Sequence, residues 1–380
     1  MNTAQPRLIC IAANTCWYLF NFRSNLISRL IQDGYEVVAI SPPDKYVEKV
    51  SALGAEFLPL SLDNTGTNPI KELLTIGRIV ALLHQSQPSL ILSFTPKINI
   101  YFAFAARLLR IPIVANISGL GRAFGGSPLL AWIARRLYGV ALRIPAAVMF
   151  QNEEDRSSFV NARLVEPGRT DRMPGSGVNT ERFHPRLRKP STSGELVFLL
   201  SARLLWAKGV GEYVEAARIV KRAVPRTRFL LLGFVEKPGR DGVSLETLTA
   251  WCEDGTVEYL GAVDDVVSVY STVDCVVLPS YYREGVPRSL LEGASMGLPL
   301  IAARNPGSND AVEHGITGYL CKPKDAEDLA NSMLRLIELP LLERRAMGDA
   351  GREKMLKEFD EKFVINKYMC WVKRCLDPQS

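Results

Sequence analysis

Short apolar runs alternate with longer amphipathic stretches along this chain, and the alternation occurs twice. In the first half, residues 8–12, 36–40, 57–60, 90–93, 113–116 and 146–150 read as strands. Between them, 22–32, 70–84, 98–109 and 129–142 read as helices. Strand–helix alternation of this kind builds parallel sheets covered by helices. A break follows near 175–190, where glycine, proline, serine and basic residues cluster. The pattern then restarts, with strands expected at 196–201, 228–232, 257–260, 273–278 and 298–302 and a helix at 209–223. The tail reads as helical over 326–337, 341–359 and 362–375. The expected class is α/β, with two Rossmann-like doubly wound domains facing across a cleft. The first domain is expected over 1–180, a linker over 181–194 and the second domain over 195–358. A terminal helix within 359–380 is expected to pack back on the first domain.

Composition excludes several classes. Seven cysteines, an odd number without paired spacing, form no disulfide or zinc framework and suit a reducing cytoplasm. Arg7 to Ala12 reads as a first strand rather than a secretory leader. The uncharged stretch near 79–96 is interrupted by His84-Gln85-Ser86-Gln87-Pro88-Ser89, which rules it out as a membrane span. The net charge of +6 is unevenly spread. No Asp or Glu occurs from Leu73 to Asn152, while Arg78, Lys97, Arg107, Arg110, Arg122, Arg135, Arg136 and Arg143 do. Such a block predicts a cationic face. Interleaving with Leu129, Leu130, Trp132, Leu137 and Tyr138 favours an anionic membrane surface over nucleic acid as its partner. A helix over 127–143 carries this reading; the plainer one is a helix that covers the sheet with solvated arginines.

The chemistry is concentrated in the second half. Glu284 and Glu292 are separated by seven residues, the first after the strand end Val276-Val277-Leu278-Pro279, the second on a helix expected over 288–296. Both carboxylates then sit at the carboxyl end of a strand, where open α/β sheets bind ligands. The pair suits a sugar and a ribose side by side. Arg203 and Lys208 follow the strand at 196–201, and Lys208-Gly209 opens the next helix. Two cations beside a helix N-terminus make an anion site, unless both are solvated surface charges. No Gly-x-Gly-x-x-Gly follows Ala12 or Ser201, against a dinucleotide dehydrogenase. Asp264-Asp265 are adjacent, not an Asp-x-Asp metal pair, so no metal site is expected.

These segments, together with 175–185 and 297–323, resemble one family over nearly the whole chain: the GT-B-fold retaining glycosyltransferases of family GT4. The resemblance is to the subgroup serving capsule, O-antigen and lipid-linked oligosaccharide synthesis. It implies that Arg203 and Lys208 hold the donor diphosphate, Glu284 the sugar hydroxyls and Glu292 the ribose hydroxyls. Backbone amides at Gly285, Val286, Ser289 and Leu290 would complete the cradle, and Arg288, less usual at its position, is the place to look for donor selectivity. It further implies a UDP-sugar rather than a GDP-sugar, of the N-acetylhexosamine type, and a polyprenyl-diphosphate saccharide acceptor. No cofactor or metal is implied, and the protein is expected at the inner face of the cytoplasmic membrane. The alternatives are a GT-B nucleotide-sugar epimerase or hydrolase, and a subunit that only binds a nucleotide sugar.

The first half supplies the acceptor side in this reading. Asn14, Trp17 and Tyr18 lie in an aromatic loop expected over 13–23, with Phe20 and Phe22 assigned to the core. Lys97, at a strand end, reads as a contact to the acceptor phosphate or as a solvated lysine. Asn116, Ser118, Gly119, Gly121 and Arg122 stand where many family members carry a histidine. The three histidines here, His84, His184 and His314, are all elsewhere, so no histidine base is expected.

Overall fold

The computed structural model describes residues 7–63, 68–118, 136–189, 194–235, 241–282 and 284–377. The chain forms two compact units, Met1–Ser176 with Lys362–Ser380, and Gly177–Glu361. The first holds β1 (Leu8–Ala12), β2 (Glu36–Ser41), β3 (Glu56–Pro59), β4 (Leu90–Phe94), β5 (Ile113–Ile117), β6 (Ala147–Phe150) and β7 (Thr170–Arg172). Their order is β3-β2-β1-β4-β5-β6-β7, all parallel. The second holds β8 (Leu196–Ser201), β9 (Thr227–Leu232), β10 (Glu258–Tyr259), β11 (Cys275–Leu278), β12 (Leu300–Ala303) and β13 (Gly318–Cys321). Their order, β10-β9-β8-β11-β12-β13, repeats the first. In each sheet the strand order therefore reverses beside the opening strand, between β1 and β4 and between β8 and β11. Such a reversal opens a crevice at the carboxyl ends of the two strands.

The apolar runs become strands because both faces of each sheet are covered. Ile9 and Ile11 enter one core cluster, Cys10 and Ala12 the opposite one. Phe198 and Leu200 divide from Val197 and Leu199 in the same way. The terminal helix Glu361–Leu376 adds Val364, Tyr368, Met369 and Val372 to the core of the first unit. That spacing is one helical stripe.

Several sequence expectations change. The residues read as linker belong to the second unit as far as they are described. Phe183 is fully buried, and its carbonyl accepts from Ser295 Oγ at 2.7 Å and Arg352 Nη1 at 2.9 Å. The first helix starts at Cys16, not near residue 22, because Thr15 caps it: Thr15 Oγ1 accepts from the Tyr18 amide at 3.0 Å. The aromatic residues 17–22 thus lie on a helix rather than a loop. Strands β7 and β13 add to the expected set; Thr170-Asp171-Arg172 carries no apolar signal. Of the helix expected at 127–143, residues 127–135, including Trp132, lie outside the described residues, and 136–141 are helical. No described helix is long and apolar enough to cross a membrane.

Candidate active site

In the second unit, the segments leaving β8 and β11 meet backbone to backbone. Gly209 has φ 77° and caps the helix Val210–Ala223, and a Cβ there would overlap the Pro279 carbonyl. Only glycine permits both the left-handed turn and that approach. The contact is sealed by the Tyr281 amide donating to Ala207 O at 3.1 Å, with Ser280 Oγ 3.3 Å from the same oxygen. It delivers Lys208, in a single 3-10 turn (Trp206–Lys208), to Glu284. Lys208 Nζ pairs with Glu284 Oε2, and Ser280 Oγ donates to Glu284 Oε1 at 2.7 Å. Both side chains are mostly buried, with 12% and 17% exposure. A pair this enclosed is screened far less than a surface pair.

The β11 loop is held from its other side as well. Asn305 Nδ2 donates to Ser280 O at 3.1 Å and to Tyr282 O. Gly307, in the helix Pro306–Ala311, lies so close to Gly285 that a Cβ would overlap the Gly285 carbonyl. Helix Arg288–Ser295 then begins after Pro287, which caps it without a side-chain bond. Glu292 is on the second turn of this helix. Its partner is accordingly a side chain one turn back: Arg288 Nε donates to Glu292 Oε1 at 2.8 Å. The Tyr270 hydroxyl also lies against Glu292. Burial pushes the Glu292 carboxyl above the usual carboxylate range, and Arg288 opposes the shift.

The structure therefore brings Lys208 to Glu284 and Arg288 to Glu292 at one corner of one sheet. Arg203 leaves the end of β8 and is exposed. Gly285 and Val286 are buried in the corner and Ser289 is half-buried. Leu290 departs from expectation: its amide donates to Pro287 O at 3.2 Å, an i to i−3 bond of the kind that satisfies amides at a helix end. Arg288 departs as well, being committed to Glu292. Sequence reasoning missed Ser280, Tyr270 and Asn305. Ser280 had a legible signal, since it stands just past the carboxyl end of the strand beside the reversal.

In the first unit, Asn14 follows β1 and is half-buried. Trp17 and Tyr18 are half-buried, and both rings pack on Phe22 at 5.4 and 4.9 Å. The Tyr18 hydroxyl accepts from Arg23 Nη2 at 3.1 Å, so its polar end is engaged inside the unit. Lys97 donates to Glu72 Oε1 and Asp63 O, both at 2.8 Å, and is no solvated lysine. Ser118 follows β5 and is half-buried; Gly119, Gly121 and Arg122 lie outside the described residues.

Residues 182–354 match the family model described as glycosyl transferases group 1, and residues 22–175 match that of a glycosyl transferase 4-like domain. The chain is 28% identical over 371 residues to the N,N'-diacetylbacillosaminyl-diphospho-undecaprenol alpha-1,3-N-acetylgalactosaminyltransferase of Campylobacter jejuni, covering 92% of this chain and 94% of that one. It is 24% identical over 307 residues to the UDP-Gal:alpha-D-GlcNAc-diphosphoundecaprenol alpha-1,3-galactosyltransferase of Escherichia coli, covering 77% and 76%. Among solved structures, Anabaena HepE in complex with UDP-glucose matches with a TM-score of 0.77 at 19% identity, over 96% and 98% of the two chains.

Proposed function

We propose what this chain does on the premise of what it is: it belongs to the GT-B-fold glycosyltransferases, with a 4-like first domain and a group 1 second domain. Within that family we assign it the transfer of a sugar from a UDP-sugar to a polyprenyl-diphosphate-linked saccharide, with retention of anomeric configuration and without a metal ion. The sugar is of the N-acetylhexosamine type. The acceptor reading is supported by the two relatives whose names specify diphospho-undecaprenol substrates, and the donor reading by the one whose name specifies UDP-Gal. The work site is the inner face of the membrane, reached by peripheral attachment; the acid-free basic block supports this.

The observation that carries the catalytic reading is the enclosed Lys208–Glu284 pair at the reversal between β8 and β11. Without donor, each charge satisfies the other. A bound donor gives each its own partner: the diphosphate takes Lys208 and Arg203, and the sugar hydroxyls donate to Glu284, which Ser280 keeps oriented. Glu292, held by Arg288, accepts from the ribose hydroxyls. The bond from the sugar C1 to the phosphate oxygen breaks with its electron pair passing to the diphosphate. The acceptor hydroxyl oxygen bonds to C1 from the same face, and its proton passes to a phosphate oxygen. Lys208 and Arg203 stabilise the departing charge, a contribution of about 3–4 kcal/mol per well-placed donor.

The test is nucleoside diphosphate release from UDP- and GDP-sugars, with and without a polyprenyl-diphosphate saccharide, with and without a chelator. The reading requires UDP release only when acceptor is present, unaffected by the chelator. Release without acceptor would mean a hydrolase, and donor binding without release a non-catalytic subunit.

A further inference from the structure

Five polar side-chain atoms buried near the carboxyl edge of the first sheet have no hydrogen-bond partner among the described residues: Arg23 Nε, Thr95 Oγ1, Asn116 Oδ1 and Nδ2, and the Tyr368 hydroxyl. Two of these groups flank one ring, that of Phe94, the last residue of β4. The Arg23 guanidinium lies 4.4 Å from its centroid and the Tyr368 ring 5.8 Å. Asn116 is the registered neighbour of Phe94 on β5, and Thr95 follows it in the chain. The Tyr368 hydroxyl faces the Asn116 side chain, yet neither reaches hydrogen-bond geometry. Buried polar atoms ordinarily find partners, so a cluster without them calls for a ligand.

The charge of the cluster says which kind. Arg23 is 2% exposed, and its donors reach only neutral oxygens, Phe22 O and Tyr18 OH, both at 3.1 Å. Among the described residues no carboxylate pairs with it. A buried cation without a counter-ion is costly. Thr95 is the N-cap of the helix Pro96–Leu109, held at φ 76°, but its hydroxyl makes no cap bond. The first turn of that helix carries no acid, and its end bears partial positive charge. Lys97 is neutralised by Glu72. Asn14 and Ser118, half-buried after β1 and β5, border the same edge.

We infer that Arg23, Thr95, Asn116 and Tyr368 form a second anion site, contained within the first unit, and that it takes a phosphate of the acceptor's diphosphate. The identity of the acceptor rests on the function proposed above; the anion site does not.

The test is a calorimetric titration of the full chain with inorganic pyrophosphate while UDP is saturating, so that the donor corner is filled. Pyrophosphate is expected to bind under these conditions. Asn116→Leu and Thr95→Gly should each weaken it at least about tenfold, with UDP affinity unchanged. Thr95→Gly guards against misfolding, because glycine takes this φ without strain. No pyrophosphate binding beside UDP would overturn the site, leaving a structural cluster. Binding of wild-type strength in both folded variants would overturn it too. If both variants lose pyrophosphate binding but UDP release proves independent of acceptor, the anion site stands and the acceptor assignment falls.

Discussion

The two sheets share one strand order, yet their carboxyl edges at the reversal are built differently. At β8 and β11 the charges are paired in advance, Lys208 with Glu284 and Arg288 with Glu292, on loops locked by Gly209 against Pro279 and Gly307 against Gly285. At β1 and β4 no glycine occupies the connecting residues 13–15 and 95. Aromatic rings do the packing, and among the described residues no acid pairs with the buried arginine. A frame shared by both units thus fixes where a ligand can bind, while the two loops beside each reversal decide what binds. In the proposed reading the second edge takes the hydroxyls and phosphates of the donor, and the first takes an anion.

Lys208→Ala should break the comparison most severely. It removes the cation expected to hold the departing diphosphate and leaves Glu284 enclosed without its partner. A fall in kcat of about 10²–10³-fold is expected, read by UDP release at saturating donor and acceptor. Near-normal turnover would remove the distinction between the two edges. Gly307→Ala comes next, since its Cβ must displace the Gly285 backbone. We expect a loss of about 3 kcal/mol or more, seen as a lower Tm together with weakened UDP binding. A Tm within a degree of wild type would show the loop to be less tightly locked than described.

Arg288→Leu sharpens the comparison through pH. The Glu292 carboxyl titrates above its ordinary value of 4.5 in the folded protein. Its contribution to stability is therefore present below that value and is lost as pH rises through the folded pKa. Removing Arg288 removes an opposing influence, so the loss should extend to higher pH and the Tm near neutrality should fall by an amount equivalent to about 3 kcal/mol. Glu292→Gln should flatten the pH dependence of Tm in the same window; an unchanged profile would contradict the burial of this group. Lys97→Met is expected to have the smallest effect. Its pairing with Glu72 is partly exposed and worth about 1 kcal/mol at most, and acceptor KM should change by less than about twofold. A tenfold rise would return Lys97 to the acceptor site.

The parallel sheets were legible because continuous apolar runs survive into doubly covered strands: β1 and β8 were read to the residue. The placement of Arg203, Lys208, Glu284 and Glu292 beyond the carboxyl ends of β8 and β11 was legible because they stand at strand ends and on one helix. Three kinds of feature were not. Polar strands such as β7 carry no hydrophobic signal. Cap chemistry at Thr15 moved six residues from an expected loop into a helix and turned Tyr18 inward. Partners distant in sequence, such as Ser280 for Ala207, Arg23 for Phe94 and Tyr368, or Gly307 for Gly285, exist only once the strands are registered. The Arg288–Glu292 pairing lay four residues apart and could have been read from helical spacing alone.

Hydrogen exchange of the full chain with and without UDP tests the central contrast most directly. The account predicts slowed exchange in 202–210 and 284–292, with 13–23 and 95–99 unchanged. Protection of the first-unit segments by UDP, or none at the second-unit corner, would contradict it.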